Sequence, residues 1–240
     1  MKEIGNTNGR SMSRRGFIRT SALSCAGIAL FGLAGCSNPD NDSSSSASSE
    51  SEDVKKAREI EEPQTTPSGD QLILVFSRAG ENYGVGNVEV GNTMVVAQMI
   101  QEKTGAELIE IEPVDPYPVD YDETTELAKT EQEENARPAI STLPDLSGYK
   151  TVFLGFPIWW GDAPMPFYTA VEGIDWSGKT VAPFCTHAGS QDAGLFQKLK
   201  SVCKGADILS GLSIQGTTAQ NDRSKTEADV DEWLSSLQIS

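Results

Sequence analysis

Apolar and polar residues alternate along much of the chain in blocks whose lengths spell out strands and helices. Leu72-Ile73-Leu74-Val75-Phe76 is a continuous apolar run, the pattern of a strand buried on both faces. Thr93 to Thr104 follows with Val96, Ala97 and Ile100 on one helical face and Gly105 placed to cap its end. Leu108-Ile109-Glu110-Ile111 predicts a second strand, and Tyr121 to Asn135 a polar, acidic helix with few apolar positions. Thr151 to Phe156 predicts a third strand. Pro166 to Glu172 predicts a short helix opened by proline and stopped at Gly173. Thr180 to Cys185 is a fourth strand, and Leu195, Phe196, Leu199 and Val202 form a helical stripe. A fifth strand runs from Ile208-Leu209 to Ile214. A last helix carries Val230, Trp233, Leu234 and Leu237 behind a capping box at Ser224-Lys225-Thr226-Glu227. Five strands alternating with helices define an α/β domain, a parallel sheet covered on both faces and doubly wound by right-handed crossovers.

The first 69 residues do not share this rhythm. Ser13-Arg14-Arg15-Gly16-Phe17-Ile18-Arg19 leads into an apolar stretch from about Ala22 to Ala34. That stretch is short for a permanent membrane helix, which needs about 20 apolar residues. Basic run, short apolar core and small residues describe an export signal over residues 1–35. It resembles the twin-arginine pattern and ends in Leu33-Ala34-Gly35-Cys36, which resembles a lipobox with Cys36 as the lipidated first residue of the mature chain. The other reading is a signal anchor that stays attached. Residues 36–69 are serine-rich and then charged, too poor in apolar surface to offset ordering entropy; they read as a tether. The folded domain is therefore expected over 70–240, anchored by lipid alone on the outer face of a cytoplasmic or other envelope membrane. Twin-arginine export, a route for folded proteins, hints at a cofactor inserted beforehand.

Charge sharpens the division. The chain of 240 residues has 19 Lys and Arg against 35 Asp and Glu, a net of −16, nearly all of it after residue 69. Such a domain lacks the clustered cations that nucleic acid demands, so no nucleic-acid partner is expected. One histidine, His187, excludes a multi-histidine metal centre, and four cysteines with no Cys-x-x-Cys pair offer neither a disulfide framework nor a zinc site. Cys185 and Cys203 read as core residues.

In doubly wound folds ligands bind beyond the carboxyl ends of the strands. After the first strand come Ser77-Arg78-Ala79-Gly80-Glu81-Asn82-Tyr83 and a glycine-spaced excursion to Gly91-Asn92-Thr93. Hydroxyls, an amide and orphan N–H groups at a helix start suit an anion, or merely cap the helix. After the third strand, Pro157-Ile158-Trp159-Trp160-Gly161 sets two adjacent indoles on a loop, where their side chains diverge. A planar aromatic ligand is one reason to keep an indole at the surface; packing against the fold or a partner is the other. After the fourth strand, Thr186-His187-Ala188-Gly189 offers small residues whose amides can approach a ring edge, and His187 reads equally as an ordinary loop histidine.

With these residues in view, the chain resembles the flavodoxin family and its flavodoxin-like oxidoreductase branch. The resemblance rests on Ser77-Arg78 with Gly91-Asn92-Thr93, Tyr117-Pro118, Asp120-Tyr121, Ala136-Arg137-Pro138, Gly155-Phe156-Pro157-Ile158-Trp159-Trp160-Gly161, Gly178-Lys179-Thr180 and Phe184-Cys185-Thr186. It implies strand order 2-1-3-4-5 and non-covalent FMN. Ser77, Arg78, Ala79, Asn92 and Thr93 would hold the phosphate, Pro157 to Gly161 would flank the ring, and Thr186 to Gly189 would face its pyrimidine edge. The family's phosphate loop is a short Ser-Arg-x-Gly-Asn-Thr, whereas Gly80 and Asn92 are here separated by Glu81 to Gly91. Either Glu81-Asn82 or Asn92-Thr93 is placed to meet the phosphate, and the excursion is placed to form a flap.

The function classes that follow are three. One is FMN-dependent oxidoreduction, with electrons from a donor passing to a small acceptor such as a quinone. The second is an electron carrier for redox proteins, steered by the acidic surface, which also serves simple solubility. The third is a cofactor-free binding lipoprotein on the same fold. A pocket open over the flavin face favours the enzyme; a ring plugged on both faces favours the carrier.

Overall fold

The computed structural model describes residues 69–142 and 145–239. The expected signal at 1–35, Cys36 and the tether up to residue 68 lie outside the described residues.

Five parallel strand positions make the sheet. β1 (Gln71–Val75) lies between β4 (Glu107–Glu110) and β5 (Thr151–Pro157), and β6 (Thr180–His187) follows β5. The fifth position is shared by β7 (Asp207–Ile208) and β8 (Leu212–Gln215), both paired with β6. Every pairing is parallel, and counted along the chain the order is 2-1-3-4-5, as expected. The strands are apolar throughout because both faces are covered, but their residues still alternate. Leu72, Leu74, Val152, Leu154 and Phe156 point to one side with Phe167, Leu195 and Leu199. The last three belong to α3 (Met165–Glu172) and α4 (Leu195–Val202). Ile73, Val75, Phe153 and Phe184 point to the other, against α1 (Asn92–Thr104) and α6 (Arg223–Ser236) through Val96, Ile100, Val230 and Trp233.

Three local features differ from the expectation. The fifth strand is broken where it faces Pro183 in β6. β7 pairs with Thr180 and Val181, β8 with Phe184 to His187, and the stretch between them lies opposite a residue without a backbone N–H. The cap of α6 is Asp222, whose Oδ1 accepts from the Lys225 N–H at 3.0 Å, so Ser224 falls within the first turn and the expected capping box does not form. The excursion after β1 is an antiparallel hairpin, β2 (Gly80–Asn82) with β3 (Gly86–Val88). α2 (Tyr121–Glu133) is capped by Asp120, and α5 (Gly216–Asn221), which the sequence pattern did not mark, follows β8 directly.

Candidate functional site

The carboxyl ends of β1, β5, β6 and β8 open into a cavity of about 330 Å³. Its floor begins where β1 runs into α1. Ser77 Oγ accepts from the Met94 N–H at 3.0 Å, so a strand-end hydroxyl closes the first turn of the helix. Gly91, the N-cap, lies so close to that strand end that a Cβ on it would stand 2.4 Å from Arg78 O and 2.4 Å from Ser77 Oγ. The hairpin is thus an insertion whose two ends meet again. Ser77-Arg78-Ala79 on one side and Gly91-Asn92-Thr93 on the other rebuild the short loop that the sequence splits.

The two halves of that loop do different work. Asn92 and Thr93 open α1, a helix of 13 residues whose N-terminus attracts negative charge. Asn92 Oδ1 is buried without a hydrogen-bond partner. Turning the amide over puts its nitrogen there instead, a donor that suits an anion. Thr93 is 1% exposed and its Oγ1 shares a 2.7 Å hydrogen bond with Thr186 Oγ1, tying the helix to the end of β6. Its hydroxyl is structural, leaving its backbone N–H for a ligand.

Arg78 lines the cavity, and most of the donors of its side chain are committed to backbone carbonyls. Nη1 donates to Glu81 O at 2.6 Å, and Nε and Nη2 donate to Pro118 O at 3.1 and 2.9 Å. Nη2 also reaches Val119 O at 2.8 Å. The guanidinium clamps the hairpin to the 118–120 segment, and its burial holds its pKa below the ordinary arginine value. The choice between Glu81-Asn82 and Asn92-Thr93 also gains a geometry. Asn82 Nδ2 donates to Gly80 O at 3.0 Å, and Glu81 Oε2 accepts from the Tyr121 N–H at 3.3 Å, so both turn toward the hairpin's own supports.

The tryptophan loop is a tight hairpin of its own. Trp159 and Asp162 exchange backbone hydrogen bonds at 2.8 and 2.9 Å, with Trp160 at φ 52° and Gly161 at φ 76° between them. Two central residues at positive φ are the signature of a type I′ turn, which asparagine and glycine enter readily and tryptophan does not. The adjacent indoles diverge. Trp159 is half-buried, edge-on to Phe76 at 5.6 Å and to Tyr117 at 5.1 Å. Trp160 is 55% exposed at the cavity, with Nε1 donating to Thr125 O at 3.0 Å. Asp162 braces the turn: it accepts from the Tyr168 hydroxyl and pairs with Lys198 Nζ at 2.7 Å. Burial and this carboxylate raise the Tyr168 pKa, so the phenol keeps its proton.

At the end of β6, His187 is 8% exposed and accepts from the Gly189 N–H through Nδ1 at 2.9 Å. Burial lowers its pKa, and that hydrogen bond requires the unprotonated nitrogen, so the imidazole is neutral. Pro157, Ile158, Gly161 and Ala188 join Ser77, Arg78, Asn92, Thr93, both tryptophans, Thr186 and His187 around the cavity; Ala79 and Gly189 do not border it. Two further walls were missed. Tyr121, Thr124, Thr125 and Ala128 face the cavity from α2. Their i, i+3, i+4, i+7 spacing was visible, but hydroxyls and an alanine did not register as a face. Gln215 to Thr217 close the far side from β8 into α5 and carried no motif.

Among the described residues, no cluster of His, Cys, Asp or Glu could hold a metal, and no helix is long and apolar enough to cross a membrane. Cys185 and Cys203 are free and buried, their thiols pushed up to about 12 by burial.

The fold and this cavity define a doubly wound α/β protein with a helix start suited to an anion beside an aromatic-lined cavity. A flavodoxin family model matches residues 87–236, more than half of the chain, and the chain belongs to the flavodoxin family. No curated protein matches its sequence. Among solved structures, a protein of Bacteroides eggerthii assigned to the flavoproteins is 26% identical with a TM-score of 0.54. The match covers 71% of this chain and 99% of that one. A Bacteroides uniformis counterpart, also 26% identical, has a TM-score of 0.55 over 70% and 98% of the two chains. A Lactobacillus acidophilus flavoprotein in complex with FMN, 22% identical with a TM-score of 0.50 over 69% and 98%, shares the fold. The residues present fit FMN: a helix N-terminus whose Asn92 amide, turned nitrogen-first, adds a donor for the phosphate, and an indole held at the cavity for a planar ring.

Proposed function

We propose that this chain is an FMN-dependent oxidoreductase that works outside the cytoplasmic membrane, held there by lipid on Cys36, and passes electrons from a redox donor to a small acceptor such as a quinone. FMN is the cofactor. When bound, it supplies one- and two-electron redox chemistry, and the protein supplies position and electrostatics.

Ser77, the amide of Asn92 and the first N–H groups of α1 hold the phosphate. Pro157, Ile158 and the two indoles flank the ring, with Trp159 fixed by Phe76 and Tyr117 and Trp160 held at the cavity by its bond to Thr125. Neutral His187 and the backbone of Ala188 border the ring's polar edge without adding charge. The surrounding carboxylates oppose the extra negative charge of a reduced flavin and keep its potential low.

The observation that carries the enzyme reading over the carrier is the cavity itself. It continues past the phosphate end to Tyr83 on the hairpin and to exposed Trp160, an open mouth that supports access of a small molecule to a ring lying there. Export as a folded lipoprotein rests on the order of Arg14-Arg15, Phe17-Ile18, the apolar core and Cys36. The test is the visible spectrum of the purified full chain, FMN titration, and then turnover with NADH, NADPH and a quinone. Absence of flavin bands together with no FMN uptake would overturn the proposal; flavin without turnover of any small acceptor would return the carrier.

A further inference from the structure

The hairpin inserted after β1 touches two walls of the cavity. On one side the Glu81 N–H donates to Val119 O at 2.9 Å and Glu81 Oε2 accepts from the Tyr121 N–H at 3.3 Å, which pins the outgoing limb to the start of α2. Tyr83 extends that contact, its ring centroid 6.3 Å from that of Tyr121. On the other side Gln220 Nε2 donates to Val90 O at 2.7 Å, which pins the returning limb to α5. The tip meets the same helix: a Cβ on Gly84 would stand 3.0 Å from Thr217 Cγ2. Asn82, Tyr83, Tyr121 and Thr217 all border the cavity, so the hairpin runs over it from α2 to α5.

What it covers is the start of α1. A Cβ on Gly216 would stand 2.5 Å from the Asn92 side-chain amide, so α5 begins against the residue proposed to meet the phosphate, and the neighbouring Thr217 receives the hairpin tip. Base and tip are held unequally. The limbs carry the hydrogen bonds to α2 and α5, and Arg78 Nη1 adds its bond to Glu81 O at 2.6 Å. From Tyr83 to Val88, no hydrogen bond among the described residues leaves the hairpin. The tip is held only by the tyrosine pair and the van der Waals contact with Thr217. A bonded base beneath an unbonded tip lets the tip lift while the limbs stay in place.

Resting on the FMN reading above, we infer that the hairpin is a strap that retains the cofactor: with its tip on Thr217 it covers the phosphate end, and the tip lifts from α5 for FMN to enter or leave. Tyr83 and Thr217 are then positioning residues for the strap, and the rates of FMN exchange are set by its opening as well as by the contacts to the phosphate. A protein that carries its cofactor out of the cytoplasm, as proposed above, has a use for slow release.

The test places Gly84→Cys and Thr217→Cys in the full-length chain, with Cys25→Ser and Cys36→Ser so that the new pair alone oxidises. Thr217 Cγ2 is one bond from its Cβ, so the two Cβ atoms stand within about 4.5 Å, a span that a disulfide bridges. Cys185 and Cys203 are buried, with thiols pushed up to about 12, and stay out of the exchange. Release of FMN on dilution and its uptake by apoprotein are followed by flavin fluorescence. Oxidising the pair should slow both by about tenfold or more, leave the dissociation constant nearly unchanged, and be undone by reductant. Comparing two redox forms of one protein cancels the strain of a cysteine at φ 75°. Release and uptake as fast with the disulfide formed as without it overturn the strap, and slower release with unchanged uptake makes the contact a binding contact instead of a gate. In the unaltered chain, FMN should slow amide hydrogen exchange from Tyr83 to Gly86 by about tenfold or more. Exchange there indifferent to FMN overturns the strap whether or not the disulfide forms. A chain that takes up no FMN in any state overturns the FMN reading beneath it.

Discussion

Gly91→Ala probes whether the split loop is rejoined where the structure places it. Gly91 has φ −64° and ψ 152°, values any residue adopts, so alanine brings no backbone strain. What it brings is a methyl group 2.4 Å from Arg78 O, 2.4 Å from Ser77 Oγ and 2.7 Å from Arg78 C, where real contacts essentially never fall below 3.0 Å. Two of these atoms are backbone at the end of a buried strand and cannot rotate away. The start of α1 must move off β1, and the Ser77 Oγ contact to the Met94 N–H at 3.0 Å lengthens with it. Overpacking and one lost hydrogen bond together should cost about 2–4 kcal/mol of stability, read from urea unfolding of the apoprotein. The displaced helix start also loses its aim at the phosphate. One charge-assisted contact weakened by about 1.5–3 kcal/mol raises the FMN dissociation constant roughly ten- to a hundredfold, read by fluorescence titration. Gly86→Ala is the control: it sits on the hairpin at φ 72° with nothing within 4 Å of a Cβ, so it adds strain without a clash. If folded Gly91→Ala binds FMN no more weakly than Gly86→Ala, the phosphate is not held at this junction.

Trp160→Asn should relieve about 1–2 kcal/mol of left-handed backbone strain while losing the Nε1 bond to Thr125, leaving unfolding nearly unchanged. FMN should bind about three- to tenfold more weakly for the lost ring contact, and equal affinity would remove Trp160 from the flavin site. His187 should titrate below 6.5 by NMR. Because its folded pKa is depressed, its contribution to stability is complete above pH 6.5 and is lost as pH falls from there through the folded value; a pKa at or above 6.5 would contradict the buried neutral ring. Replacing both Arg14 and Arg15 with lysine should hold the chain in the cytoplasm, and Cys36→Ala should export it without a lipid anchor, both read by fractionation and acyl labelling.

Patterns of apolar residues anticipated most of the elements because strands covered on both faces leave little choice. Every residue from Leu72 to Val75 is wholly buried, and no other period accommodates that run. The failures have equally local causes. Pro183 broke the fifth strand from across the sheet, a neighbour relation that a linear reading does not contain. Asp222 outcompeted Ser224 as cap because α5 ends immediately before it, and α5 itself is too short and polar to leave a period. At the site, the three strand-end loops were readable because sheet topology brings such loops together whatever their sequence. The α2 wall was not. Its threonines look like surface residues until their hydroxyls are seen to turn back onto Pro118 and Asp122.

The same reasoning explains how the phosphate loop tolerates its insertion. A hairpin grafted into a ligand loop leaves the site intact only if its two ends return to the original spacing, and here Gly91 against Arg78 provides that closure. The graft must also be held, or closing so short a loop would cost entropy at each binding event. Arg78 supplies the hold by donating to the hairpin at Glu81 O and to the 118–120 segment beside it. The arginine that the family resemblance assigns to the phosphate therefore also clamps the insertion, while its Nη1 makes one of its two possible bonds beside the cavity. The start of α1, a helix of 13 residues, adds its first backbone N–H groups beside it. Insertion and clamp belong together: a phosphate held as proposed would lean on the backbone donors at the start of α1, and the position of those donors depends on the close approach that Gly91 permits.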